Sequence, residues 1–205
     1  MTETTSKRLF IAVDVPPAVN RLVPLIRTLV HTPNREVRWV ASRNLHLTLS
    51  FLGQVDDTQI PDLVTALHEA ICTQPFDGLI QGTGVFPDIS RPRVLWLGLS
   101  QGAESLLQLQ ESVDQAALSF KEFGKLERFH PHITIGRVGP RVHPNRLNLT
   151  QFLSSEYEPI ALNVKTVKLV ESQLFPTGAQ YSVVKTYLLS SVADDDNRAT
   201  DESIK

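Results

Sequence analysis

With 205 residues, 41% of them hydrophobic, and a formal net charge of −2, the chain can bury a substantial core in one unit or two closely packed lobes. The charge balance argues against a protein that coats long nucleic acid through a broad basic face. No apolar run approaches the roughly 18 residues of a membrane span, and the polar start lacks the apolar centre of a secretion signal, so a cytoplasmic protein is expected.

In chain order, alternation and β-branched residues predict a strand over 8–15, which Pro16 and Pro17 end. A helix over 17–31 follows, with Val19, Leu22, Leu25, Ile26 and Val30 as its apolar positions. Strands are expected at 37–40 and 45–52, then a turn at Gly53 and a helix over 57–73 started by Asp56 and Asp57. The pattern restarts with a glycine-broken strand at 76–86, a strand at 93–99, the longest helical pattern at 103–123, and a strand at 132–138. The last third holds a short helix at 143–153 and strands at 159–164, 165–174 and 180–189, the final pair joined across Pro176, Thr177 and Gly178. Without strict βαβ repetition, this order predicts an α+β architecture.

Composition shifts near the end. Residues 192–205 carry five acids and two bases and hold no aromatic residue, the signature of a disordered acidic tail beyond a single folded domain over 1–191. The rest of the chain is close to neutral, so a small anionic substrate needs local arginines, and Arg91, Arg93, Arg128, Arg137 and Arg141 are the candidates by position. The single cysteine, Cys72, cannot form an intrachain disulfide and is expected to be a buried, inert thiol in a helical stretch.

One feature organises the chain. LHLTL at 45–49 and PHITI at 131–135 each place a His-x-Thr unit on a strand downstream of a strand–helix pair. Side chains two apart on a strand share a face, so His46 joins Thr48 and His132 joins Thr134, while Leu45, Leu47, Leu49, Ile133 and Ile135 face the core. Imidazole exchanges a proton near neutral pH, and a threonine hydroxyl donates to a phosphate oxygen. Two such pairs across a cleft would set one acid and one base about a phosphorus atom. The competing reading is a pair of half-buried histidines satisfied by carbonyls. His130 could join a zinc site with His132 and either His46 or His143, but no carboxylate or cysteine stands at ligand spacing. His130 is therefore expected at the substrate rim, and His31, His68 and His143 at the surface or on helices.

HLTLSFLG (46–53) and FHPHITIGR (129–137) resemble the two motifs of the 2H phosphoesterase superfamily, specifically its RNA 2′,3′-cyclic phosphodiesterase branch, also called the 2′-5′ RNA ligase family. RLFIAVDVP (8–16), RVLWLGL (93–99) and LVESQLFPTGAQYSVVKTYLL (169–189) are similar to that branch as well, so the likeness runs from residue 8 to 189. The resemblance implies a bilobal α+β fold with two antiparallel sheets flanking a central groove. It also implies an RNA end carrying a 2′,3′-cyclic phosphate as substrate, and neither cofactor nor metal. It makes His46 and His132 the catalytic pair, Thr48, Thr134 and Arg137 phosphate contacts, and Phe51 a stacking partner for the nucleobase. Alternation alone would not choose Phe51 or Arg137, whose odd offsets put them on the wrong face of a regular strand. A bulge or strand end is required, and Gly53 and Gly136 are the candidates for it. By the same resemblance His132 is the base and His46 the acid, and the reverse reaction implies a weak 2′-5′ ligase activity. A monomer is expected. Open alternatives are a related phosphodiesterase acting on 2′-5′ oligonucleotides or cyclic nucleotide-sugar phosphates, and a non-catalytic module that binds RNA ends.

Overall fold

The computed structural model describes residues 5–32, 36–122, 129–143, 146–176 and 178–190. Arg128, Thr177 and the acidic tail lie outside them. Among the described residues nine strands and four α-helices follow the predicted order. They are β1 (Ser6–Asp14), α1 (Pro17–Thr28), β2 (Val37–Trp39), β3 (His46–Asp56), α2 (Ile60–Ala70), β4 (Phe76–Phe86), β5 (Val94–Gln101), α3 (Ala103–Ala116), β6 (Ile133–Val138), α4 (Thr150–Leu153), β7 (Ile160–Val164), β8 (Thr166–Phe175) and β9 (Gly178–Leu188).

The strands form one curled antiparallel sheet in the order β7-β4-β5-β6-β3-β1-β8-β9, with β2 on β6. Its two halves mirror each other: β1–α1–β3 matches β5–α3–β6, and each half adds two strands outside its first. The expected pair of sheets meets at β3 and β6 through one register pair, Leu47 opposite Ile133. Both side chains are fully buried, and burial of each contributes about 1.5–3 kcal/mol. The convex face carries Leu9, Ile11, Leu47, Leu49, Ile133 and Ile135 against Val19, Val23 and Ile26 of α1, Leu63 and Leu67 of α2, and Leu106, Leu109 and Val113 of α3. Leu45, Leu47, Leu49, Ile133 and Ile135 are therefore core, and the opposite face of the sheet carries the two dyads beside a small separate cluster of Phe10, Ala12 and Val170.

Several sequence expectations are corrected. Gly53 is not a turn: β3 runs on to Asp56, and Gly53 lies inside it at φ 78°. Asp56 and Asp57 do not cap α2, which is preceded by a 3-10 turn over Asp57–Gln59; the Asp57 carboxylate accepts from the Thr5 hydroxyl at 2.5 Å instead. The helix stops at Ala70, where Ile71 leaves the helical region at φ −86° and ψ 71°. Cys72 falls past that end and is exposed, not buried. Leu25 is 66% exposed, because the periodicity of α1 buries Val19, Val23 and Ile26 and turns Leu25 outward. The long pattern at 103–123 ends as α-helix at Ala116 and continues as a 3-10 turn over Leu118–Phe120, with residue 123 outside the described set. Of the helix expected at 143–153, only Thr150–Leu153 is α-helical among the described residues. None of the described helices is long and apolar enough to cross a membrane.

Candidate active site

Antiparallel pairing about Leu47 and Ile133 sets the site. With those two facing the core, His46, Thr48, His132 and Thr134 all face the concave side, and the register brings His46 toward Thr134 and Thr48 toward His132. A local two-fold relation thus passes between the dyads.

Both motif strands are bulged at the same place. On β3, Ala12 pairs with Thr48 but Ile11 pairs with Ser50, so Leu49 is the extra residue. On β6, Trp96 pairs with Thr134 but Leu95 pairs with Gly136, so Ile135 is the extra residue. Each bulge shifts the alternation by one. Ser50 and Gly136 therefore turn to the core side, and Phe51 and Arg137 join the histidines on the concave face. The odd offset is resolved by bulges at Leu49 and Ile135, not at the glycines. Gly53 accompanies a second irregularity, where Leu52 is the extra residue between Phe51 and Gly53. Gly136 instead makes room for its neighbours: a Cβ there would meet Trp39 and Val37 at 2.9 Å.

The two imidazoles are held alike. Nδ1 of His46 lies 2.7 Å from the Asn44 carbonyl, and Nδ1 of His132 lies 2.7 Å from the His130 carbonyl, two residues upstream in each case. A carbonyl only accepts, so Nδ1 carries the hydrogen and donates, leaving Nε2 as the titrating nitrogen on both rings. Asn44 is itself buried, and its side-chain amide donates to the Ala179 carbonyl at 2.8 Å, tying the approach to His46 to β9. Aromatic rings wall each histidine. Phe10 and Tyr181 lie 4.8 and 5.5 Å from His46, and Phe86 and Trp96 lie 4.9 and 6.4 Å from His132. Phe51 is 54% exposed and sits 6.1 Å from Phe10, on the same cluster as His46.

Both imidazoles titrate below the usual range. Burial is the main cause for each. At His46 the Asn44 carbonyl opposes it, the charges of Arg137 and His132 reinforce it, and the carboxylate of Asp14, its cross-strand partner, opposes it. At His132 the His130 carbonyl opposes burial, while the His130 ring and Arg137 reinforce it. Arg137 thus bears on both histidines. Burial also raises the Tyr181 hydroxyl, against the pull of Arg137 and Arg8.

The remaining sequence candidates scatter. Arg93 donates to the Gly139 carbonyl at 2.7 Å, a tie between the start of β5 and the end of β6. Arg91 lies in the loop beside Asp88, and Arg141 is exposed beyond β6. His130 is exposed at the rim, and His31, His68 and His143 are exposed away from the dyads. No cluster of three or more His, Cys, Asp or Glu able to hold a metal occurs among the described residues. A cleft of about 520 Å³ lined by Gln81, Gly82, Tyr157 and Glu158 contains none of the motif residues. Sequence reasoning missed Asn44, Phe10, Tyr181, Phe86 and Trp96. Only Asn44 left a local signal, as the residue two before His46, matching His130 before His132.

A curled antiparallel sheet carrying paired His-x-Thr strands defines a two-histidine phosphoesterase architecture. The crystal structure of E. coli LigT complexed with 3′-AMP superposes with a TM-score of 0.71 at 28% identity, covering 91% of this chain and all of the other. Residues 15–174 match the 2′-5′ RNA ligase superfamily, and the chain belongs to that family. Proteins named RNA 2′,3′-cyclic phosphodiesterase are similar over most of their length. The Thermotoga maritima protein is 34% identical over 86% of this chain and 92% of its own. The Methanothermobacter thermautotrophicus protein is 32% identical over 89% and 98%.

Proposed function

We propose that this protein hydrolyses 2′,3′-cyclic phosphates at RNA ends, leaving a 2′-phosphate, by acid/base catalysis between His46 and His132 without a metal. The observation that carries the reading is the matched anchoring of the two imidazoles. Each Nδ1 donates to a carbonyl at 2.7 Å, so two Nε2 atoms with the same tautomer face one groove. One can take a proton from water while the other gives a proton to the departing ribose oxygen. Thr48 and Thr134 donate to the nonbridging oxygens, and Arg137 stabilises the charge that builds on them in the transition state. Phe51, projecting beside Phe10, takes the face of the terminal base.

The surroundings favour His46 as the acid and His132 as the base. The Asp14 carboxylate supports a proton on His46, whereas the His130 ring opposes one on His132. Both rings are depressed in the free protein, so the negative charge of bound phosphate supplies the rest of the proton affinity that the acid requires. With a 5′-hydroxyl in place of water, the same pair forms an O5′–P bond as the P–O3′ bond breaks, the base taking the hydroxyl proton and the acid protonating the departing 3′-oxygen, a weak 2′-5′ ligase activity. The chain is read as a monomer with one folded domain over 1–191 and a separate acidic tail.

Incubation with an oligonucleotide ending in a 2′,3′-cyclic phosphate tests the reading. Conversion to a 2′-phosphate end is expected, with no loss in excess chelator. Tight binding without turnover would instead make this a module for RNA ends, and a 3′-phosphate product would reverse the assignment of the leaving oxygen.

A further inference from the structure

β2 is three residues long, yet its pairing with β6 sets Arg38 directly opposite Arg137. Gly136 fixes the side they occupy. The space beside its α-carbon is filled by Trp39 and Val37, and Val37 is buried in the core. Arg38 and Arg137, one residue out of phase, therefore face the groove, and both are exposed.

Like charges directly opposite on one face of an antiparallel pair are destabilising. Nothing among the described residues relieves this pair. Among the described residues, neither arginine side chain has a hydrogen bond or ion pair. The neighbouring carboxylates are already engaged, Glu36 by Arg146 at 2.9 Å and Asp14 by Lys168 at 2.5 Å. Arg137 bears on both histidines and so serves the reacting phosphorus. Arg38 stands one strand farther out with its guanidinium uncommitted. A planar fork of donors suits the oxygens of a phosphate group better than a point charge would.

We propose that Arg38, beside Arg137, forms a second phosphate subsite that takes the 5′-phosphate of the terminal nucleotide, one ribose away from the reacting phosphorus. The subsite rests on the phosphodiesterase reading for its orientation. It makes the protein select a nucleotide embedded in a chain over a free nucleoside cyclic phosphate. Every RNA end carries that upstream phosphate, and a mononucleoside cyclic phosphate lacks it.

Calorimetric titration of the full-length protein with adenosine 2′-monophosphate and adenosine 2′,5′-bisphosphate isolates the added group. The bisphosphate should bind about 10-fold more tightly, the scale of one charge-assisted contact. Arg38→Gln should erase that preference, and Arg38→Lys should restore part of it. Because the substitution removes a like-charge neighbour, the unliganded Arg38→Gln protein should melt no lower than the parent. Three results would overturn the subsite: no preference in the parent, a preference that survives Arg38→Gln, or an equal loss for both ligands. Hydrolysis of adenosine 2′,3′-cyclic phosphate and of its 5′-phosphorylated form is followed in parallel. Turnover of neither, with the binding preference intact, would sink the phosphodiesterase reading and leave the subsite standing.

Discussion

Replacing each histidine separately tests the division of labour most directly. A positioned acid or base contributes about 10²–10⁴ in rate, so His46→Ala and His132→Ala should each lower kcat by at least about 100-fold, near 2.7 kcal/mol of barrier. Rings that assist one proton transfer act as a unit, so the double variant should be far less than multiplicatively worse. The structural cost is small by comparison. His46 packs against Phe10 and Tyr181 at 4.8 and 5.5 Å, contacts worth about 0.5–1.5 kcal/mol each, so both variants should still fold cooperatively in a thermal melt. A substrate whose leaving group needs no proton separates the roles. It should rescue His46→Ala and not His132→Ala. The pH profile of kcat/KM for the parent should be a bell whose limbs belong to the coupled pair, with its optimum drawn below the ordinary imidazole value by burial. Rescue of His132→Ala alone would exchange acid and base. Near-normal rates in both folded variants would refute the catalytic assignment.

Hydrolysis should persist in excess EDTA, and a complete loss that zinc restores would refute the metal-free mechanism. Gly53→Ala forces an L residue to φ 78° and sets its Cβ 2.8 Å from the Glu122 Cβ, in a segment whose carboxylate accepts from the Gln54 amide. Denaturant titration should register a loss of about 1–2 kcal/mol or more, and an unchanged midpoint would mean that β3 relaxes there freely. Acid should weaken the fold through the depressed histidines. Their contribution is fully present above about pH 6.5, where the unfolded rings titrate. It is lost as pH falls through the lower folded values, because the unfolded chain then binds more protons. His46→Gln combined with His132→Gln should flatten the stability profile in that window, and an unaltered slope would assign the acid sensitivity elsewhere.

Local pattern carried the element order, the core face of both motif strands and the two dyads, because period-two alternation depends only on the neighbours along the chain. Leu47 and Ile133 were legible as core and His46 and His132 as their opposite face before any tertiary contact was known. The order of strand, helix and motif strand in each half likewise made the repeat visible. Phe51 and Arg137 were different. Resemblance pointed to them, but their orientation needed one extra residue in each motif strand, and a bulge is defined by the partner strand. Nothing in LTLSF or ITIGR marks Leu49 or Ile135 as unpaired. The helix ends at Ala70 and Ala116 were overrun for a related reason, since apolar spacing continued past the point where the backbone had already left the helix. The Asn44 tie to β9, the aromatic walls from β1, β4, β5 and β9, and the placing of Arg38 against Arg137 all join residues distant in sequence. Sequence by itself determined which chemical groups the chain possesses and which face of each strand stays dry. Only the tertiary structure decided which of those groups meet, because register between strands is set by packing across the sheet and not by any one segment.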